Sequence, residues 1–302
     1  MFRRWGSQRR NKSQDNIPES PQHSQRKKFY SVEQRQYLAE VPYELPKDLE
    51  EINRLDFQHF MLRFLLKGNY VAPVRNPRNI LDVGCGTGRW GMEISYVFPN
   101  ARIVGVDMVP QLSVNEYAIP NYTFVQANLL EGLPFQSNMF DFVHQRLLVL
   151  GIPVDKWPSA VHELRRVTAP AGWVELAEPS CGFGAPAIER LFSWMEALSY
   201  LRNINVRAVA HIGELLKGAG LRYVRQHRVD IPVGEQGGRL GRMCGTDLMS
   251  IFKGIRGPII GAQIASERDF DLTLARFQNE LLTHLSYIPY FIAYGQKTGR
   301  DR

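Results

Sequence analysis

Asn79-Ile80-Leu81-Asp82-Val83-Gly84-Cys85-Gly86-Thr87-Gly88-Arg89-Trp90-Gly91 decides how the rest of the chain is read. The apolar run Ile80, Leu81, Val83 leads into glycines at alternate positions 84, 86 and 88. Trp90, Ile94 and Val97 then recur at helical spacing. The pattern predicts a strand, a tight turn and a helix start. Glycine admits positive φ, and its missing Cβ lets a ligand lie against the backbone. The free N–H groups of the first helical turn favour a polar or anionic ligand group.

Spacing narrows the ligand. A phosphate-cradling dinucleotide turn needs G-x-G-x-x-G, which from Gly84 would put glycine at position 89, where Arg89 stands. No Gly-Lys-Ser/Thr follows, which excludes a P-loop. A second apolar run, Arg102-Ile-Val-Gly-Val-Asp107, closes on an acid. A carboxylate at that strand end can accept from both hydroxyls of a ribose. A glycine turn, a ribose-binding acid and no phosphate group suit a nucleoside without phosphates. The D-x-G-x-G-x-G stretch resembles motif I of the class I S-adenosylmethionine-dependent methyltransferases. The resemblance implies a Rossmann-like α/β fold: a seven-stranded, mostly parallel sheet, helices on both faces and an antiparallel last strand. It also implies S-adenosylmethionine as cofactor. The turn residues Asp82, Gly84, Cys85, Gly86 and Gly88 would meet its amino-acid end, and Asp107, with Met108, its ribose.

Other stretches extend the resemblance. Tyr43-Glu-Leu-Pro-Lys-Asp48, Glu51 and Arg54-Leu-Asp-Phe-Gln-His59 look like the leading signature of the LaeA-like and secondary-metabolism methyltransferases. Asp48 can cap a helix over about 49–67 whose apolar face is Ile52, Leu55, Phe57, Phe60, Met61, Phe64 and Leu65. In that branch the helix lies over the cofactor, so Arg54 is expected on the cofactor carboxylate, with Gln58 or His59 lining the pocket. Ala127-Asn128-Leu129 stands at the adenine position, which assigns Asn128 and Leu129 to the base. Phe140-Asp-Phe-Val-His144 is a fourth strand, and His144, Gln145, Arg146 and Leu147 at its carboxyl end are pocket residues.

Strands also fall at 79–84, 102–107, 122–126, 173–178, 222–231 and 287–295. Helices are expected at 88–97, from Pro110 to about 117, 155–167, 186–203 and 208–219. Alternation of the two argues for a parallel sheet. Residues 234–286 form a long insert, Gly-rich over 234–245, with helices near 246–256 and 268–285. With 186–203 it is the expected substrate cap, since long rim insertions tend to be lids or binding elements.

The 302 residues, 44% hydrophobic, suit one large domain over 31–302 with a full core. No apolar run approaches a membrane span, and the charged start lacks the apolar stretch of a secretory signal. Three scattered cysteines, Cys85, Cys181 and Cys244, offer no zinc spacing and no disulfide framework, which points to the cytoplasm. The net charge of +7 is uneven: residues 1–28 carry +6, leaving +1 for the rest. Residues 1–30, basic and poor in apolar groups, are expected to be a disordered tail.

For a methyltransferase the candidate bases are His144, Glu178, His211 and His284, and no metal-ligand cluster is evident. Three functions compete: methylation of a small, apolar or aromatic metabolite; methylation of RNA or protein with the basic tail as tether; and a non-catalytic, cofactor-binding regulator. The near-neutral body favours the first, because a nucleic-acid enzyme would carry basic residues across its working face. The acceptor atom and the oligomeric state are not readable from the sequence.

Overall fold

The computed structural model describes residues 29–32, 35–38, 45–109 and 119–299. The tail over 1–28, Pro42–Tyr43 and the helix expected from Pro110 lie outside the described residues.

In chain order the elements are β1 (Phe29–Val32), β2 (Arg35–Leu38), α1 (Leu49–Leu66), β3 (Asn79–Val83), α2 (Arg89–Val97), β4 (Arg102–Asp107), β5 (Tyr122–Gln126), β6 (Phe140–Arg146), α3 (Trp157–Val167), β7 (Thr168–Pro179), α4 (Pro186–Tyr200), α5 (Ile212–Gly218), β8 (Arg222–Val233), α6 (Gly238–Gly261), α7 (Glu267–Thr283) and β9 (Ser286–Gln296). Seven strands form one sheet in the order β5-β4-β3-β6-β7-β9-β8, and β1 and β2 form a separate antiparallel pair. From β5 to β7 every pairing is parallel, and β9 runs antiparallel to both β7 and β8. This is the Rossmann-like sheet the sequence implied. Strand order reverses at β3, which pairs β4 on one side and β6 on the other, so the crevice at the carboxyl ends of these strands is the natural ligand position.

Successive residues of β3 feed the two faces. Ile80 packs with Trp90 and Ile94 of α2, Ile103 and Phe142. Leu81 and Val83 join the larger core that also holds Val161 and Leu164 of α3 and Leu216 of α5. That alternation follows from the two-residue side-chain period of a strand. Among the described residues no helix is long and apolar enough to cross a membrane.

Three sequence expectations change. Residues 29 and 30, assigned to the tail, are in β1. Helix α1 buries Glu51, Arg54, Gln58, His59, Met61 and Leu62, whereas Phe60 and Phe64 are about half exposed at 45% and 48%. Of the expected apolar face only Met61 is fully buried, because most of the rest of the buried face meets charged partners. Residues 238–245 of the Gly-rich stretch become the first turns of one 24-residue helix, α6, after a 3-10 turn over Glu235–Gly237. A side chain at Gly241 would collide with the Gly234 carbonyl, and one at Gly245 would lie 2.8 Å from Leu281 of α7. Gly241 and Gly245 serve close packing, whereas Gly234 (φ 101°) and Gly238 (φ 64°) serve the turn into the helix.

Helices α4, α6 and α7 pack together, and α6 also contacts α1 and β8. Phe252 of α6 makes edge contacts with Phe192 of α4 and Phe277 of α7, with ring centroids 5.4 Å apart in both pairs. Arg54 and Gln58 of α1 reach Asp247 of α6 and tie this layer to α1.

Candidate active site

The turn after β3 has three glycines at positive φ: Gly84 at 68°, Gly86 at 55° and Gly88 at 77°. Gly84 has a second reason to lack a Cβ, since one would sit 2.5 Å from Leu148 Cδ2. The amides of Gly84 and Cys85 donate to the Val106 carbonyl at 2.8 and 3.0 Å, fastening the turn to β4. At the end of β4, Asp107 Oδ2 accepts from the Gly86 amide at 3.0 Å and Oδ1 from the Val109 amide at 3.1 Å. Each carboxylate oxygen has lone pairs left for a diol.

A groove runs along these strand ends. One half is bounded by Asp107, Met108, Asn128, Leu129 and Ile152. The other is bounded by Asp82, Gly86, Thr87, His59 and Arg146. Lys47, Gly84, Asp107 and Leu148 belong to both halves, so the groove is continuous. Helix α1 is clamped over it: Asp56 accepts from Thr87 Oγ1 at 2.6 Å and from Arg89 Nε at 2.7 Å.

Opposite charges meet at the His59 end. Asp82 Oδ1 lies 3.2 Å from His144 Nδ1, while Asp82 Oδ2 is buried without a partner. Arg146 Nη2 donates to His59 Nδ1 at 2.7 Å, and the carboxylates of Asp82, Glu93 and Glu175 act on it at longer range. His59 accepts at Nδ1, so its proton is on Nε2, 3.3 Å from Glu93 Oε2. Burial first, then the Arg146 charge, hold His59 down at about 4, so it is neutral. An unpartnered carboxylate oxygen beside a guanidinium bonded to a neutral ring suits a ligand bearing both an ammonium and a carboxylate.

The residues expected to act on chemistry lie elsewhere. Arg54 is 6% exposed; it donates to Glu51 at 2.6 and 2.8 Å and to Asp247 at 2.8 Å, so its guanidinium serves the contact of α1 with α6 and does not line the groove. His144 is buried under Trp90, with rings stacked at 3.9 Å and 2°, and burial lowers its pKa. Glu178 is buried and accepts from Gln145 Nε2 and the amides of Leu148 and Val149 at 2.9–3.1 Å. Burial pushes its carboxyl up to about 7. Glu178 and Gln145 thus anchor the 147–149 bend instead of facing the groove. His211 is exposed ahead of α5, and His284 caps α7 beside Thr283. None of these four expected bases lines the groove. Asn128 lines it, but its side chain also caps the 129–131 turn by accepting from the Leu130 amide at 3.0 Å and donates to Glu131 at 2.8 Å. The Cys85 thiol is free, and burial pushes its pKa well up.

Lys47, Thr87, Arg89 and Leu148 line the groove without having been singled out in the sequence. Thr87 and Arg89 carried a signal, since they lie between and just after the turn glycines. Lys47 stood inside the Tyr43–Asp48 signature without a role assigned to it, and Leu148 carried no signal, because loop geometry brings it in.

A second, largely apolar pocket adjoins the groove under α4 and α6. Met61, Leu147, Phe192, Met195, Ile231 and Leu248 make much of its wall. Gln58 and Leu147 border both spaces.

Residues 80–172 match the family model described as "Methyltransferase domain". The methyltransferase str2 of Strobilurus tenacellus is 30% identical over 208 residues, covering 64% of this chain and 72% of that one. The chain belongs to the S-adenosylmethionine-dependent methyltransferases. Within the methyltransferases, the N-methyltransferase sirN of Leptosphaeria maculans is 27% identical over 278 residues, 87% of this chain and 98% of its own length. The secondary metabolism regulator laeA of Aspergillus niger is 27% identical over 222 residues, 68% of this chain and 57% of its own, in keeping with the LaeA-like resemblance. Among solved structures, an O-methyltransferase family protein from Burkholderia thailandensis superposes with a TM-score of 0.52 at 11% identity, covering 83% of this methyltransferase and 60% of that chain, which bears on the fold alone.

Proposed function

We propose that this methyltransferase transfers the methyl group of S-adenosylmethionine to a nitrogen of a small, largely apolar metabolite. One observation carries the reading: an apolar pocket opens beside the donor groove, and the two share Gln58 and Leu147 as common wall. The name of sirN as an N-methyltransferase supports nitrogen as acceptor.

The groove chemistry matches the cofactor. Asp82 Oδ2 would take its ammonium and Arg146 its carboxylate. Asp107 would hold the ribose, with Met108, Asn128 and Leu129 around the adenine. S-adenosylmethionine supplies a methyl carbon already activated by a sulfonium. The protein has to hold the acceptor in line with that carbon and exclude water, and orientation alone can remove about 7–11 kcal/mol of barrier. The Asp56 clamp on Thr87 and Arg89 and the Glu178 anchor of the 147–149 bend keep both walls in place. A neutral amine carries its own nucleophilic lone pair, so this chemistry does not demand a general base. The helices α4, α6 and α7 act as the substrate cap, and the free, buried thiols of Cys85, Cys181 and Cys244 suit a reducing cytoplasm.

The test is transfer of label from methyl-tritiated S-adenosylmethionine in the presence of a panel of apolar amines, total RNA and a protein extract. Label on the amines, absent with a Leu147→Trp variant, is expected. Label found only on RNA or protein would replace this reading with a macromolecular one. The resemblance to laeA favours a second reading, regulation of secondary metabolism. Cofactor binding by calorimetry without turnover on any acceptor class would favour it.

A further inference from the structure

We propose that the Tyr290 hydroxyl docks the acceptor atom, binding an N–H or O–H on an otherwise apolar skeleton. This rests on the reading of the apolar pocket as the acceptor site.

Tyr290 lies on β9 between Pro179 of β7 and Val229 of β8, at the centre of the antiparallel half of the sheet. It lines the apolar pocket and is 1% exposed. Its Oη is buried with no hydrogen-bond partner. Two other polar walls are spent differently: Gln58 Nε2 donates to Asp247 Oδ2 at 2.8 Å, and Asp247 Oδ1 accepts from Arg54; Ser180 also lines the pocket. Among the described residues Tyr290 Oη is therefore the buried polar side-chain atom of this pocket left unsatisfied. Native proteins rarely leave such a group orphaned, and ligand pockets combine apolar walls with a few placed polar groups. Tyr290 also lies within electrostatic reach of Arg146, on the donor side, and of Glu178. The hydroxyl thus belongs to the acceptor pocket and feels the charge of a donor-groove residue.

Burial pushes the Tyr290 phenol up, so it stays protonated at physiological pH. It can then accept an N–H or donate to a lone pair, but it cannot serve as a base. Its part is orientation: by accepting an N–H of the acceptor nitrogen it leaves that atom's one lone pair free to face the donor. A pocket with one such handle selects for a single heteroatom on an apolar frame and against polar, multiply hydroxylated molecules.

The experiment compares aniline and toluene, which share shape and differ at the heteroatom, as probes for the full chain with S-adenosylhomocysteine present. Affinities are read by ligand-observed NMR for wild type, Tyr290→Phe and Met195→Trp. Tyr290→Phe is expected to lower the aniline-to-toluene affinity ratio roughly fivefold to tenfold, the scale of one lost hydrogen bond. Its melting temperature should hold or rise, since the hydroxyl removed had no partner. Met195→Trp, which fills the pocket, should abolish binding of both probes. An unchanged ratio in Tyr290→Phe, with both probes still excluded by Met195→Trp, overturns the Tyr290 proposal alone. Probes that bind Met195→Trp as well as wild type, or that fail to bind wild type, overturn the acceptor-pocket reading and the proposal with it.

Discussion

Arg54 Nη1 donates to Asp247 Oδ1 over 2.8 Å, joining residues 193 positions apart. The same guanidinium grips Glu51 through Nε and Nη2. One buried cation thus serves two buried carboxylates, and burial raises the pKa of both acids. The cluster holds the α1 lid of the donor groove against α6 of the acceptor pocket.

Arg54→Met should therefore cost stability first. Removing one partner of a buried pair typically costs about 3–5 kcal/mol. The loss should be larger at pH 8 than at pH 5, where Glu51 and Asp247 can take up protons. Urea unfolding at the two pH values measures it, and a loss below about 1 kcal/mol at pH 8 would contradict a structural role.

Arg146→Met separates the two arginines. With Arg146 on the donor carboxylate, S-adenosylmethionine affinity should fall roughly tenfold to a hundredfold, the worth of a charged hydrogen bond. Binding of 5′-methylthioadenosine, which lacks the amino-acid end, should be unchanged. Calorimetry with both ligands decides, and equal weakening of both would refute the assignment.

Asp107→Ala should weaken both ligands, because both carry the ribose. Two hydrogen bonds to a charged acceptor predict a loss of at least about tenfold. The side chain also holds the Gly86 amide, so Asp107→Asn, which keeps one acceptor oxygen, should bind better than Asp107→Ala.

His59 gives a pH signature. Its ordinary pKa near 6.5 falls to about 4 in the folded chain, chiefly through burial. Below pH 6.5 the unfolded chain takes a proton that the folded chain resists until about 4. The contribution to stability is full above about pH 6.5 and is lost as the pH drops toward 4. It amounts to at most about 3 kcal/mol. His59→Gln can still accept from Arg146 and should flatten this part of the curve. Glu175 and Glu178, both raised to about 7, work in the opposite sense as pH rises from the usual carboxylate range toward 7. The difference between variant and wild type is therefore the quantity to read, and parallel curves would refute the neutral-His59 assignment.

The sequence alone determined the strand–turn–helix at 79–91 and the acid ending β4, and through the resemblance these carry, a mostly parallel sheet with an antiparallel last strand. The first two depend on turn chemistry or on a period of two or 3.6 residues, both written within a few neighbouring positions. The helix expected near 246–256 begins instead at Gly238, where Gly241 answers to Gly234 and Gly245 to Leu281, close approaches that no local pattern records.

Only the tertiary structure decided what the charged and polar residues do. Arg54 and Arg146 are equivalent in sequence terms, yet Arg54 is consumed by Glu51 and Asp247 while Arg146 borders the donor groove. His144 and Glu178 stand at strand ends where bases are sought, yet one is stacked under Trp90 and the other ties down backbone amides. Tyr290 falls in the strand expected at 287–295, and its orphaned hydroxyl emerged only with the pocket around it. The physical reason is the same in each case. A side chain's chemistry depends on its desolvation and on partners across long stretches of chain, and these exist only once the sheet and its helical layer have packed.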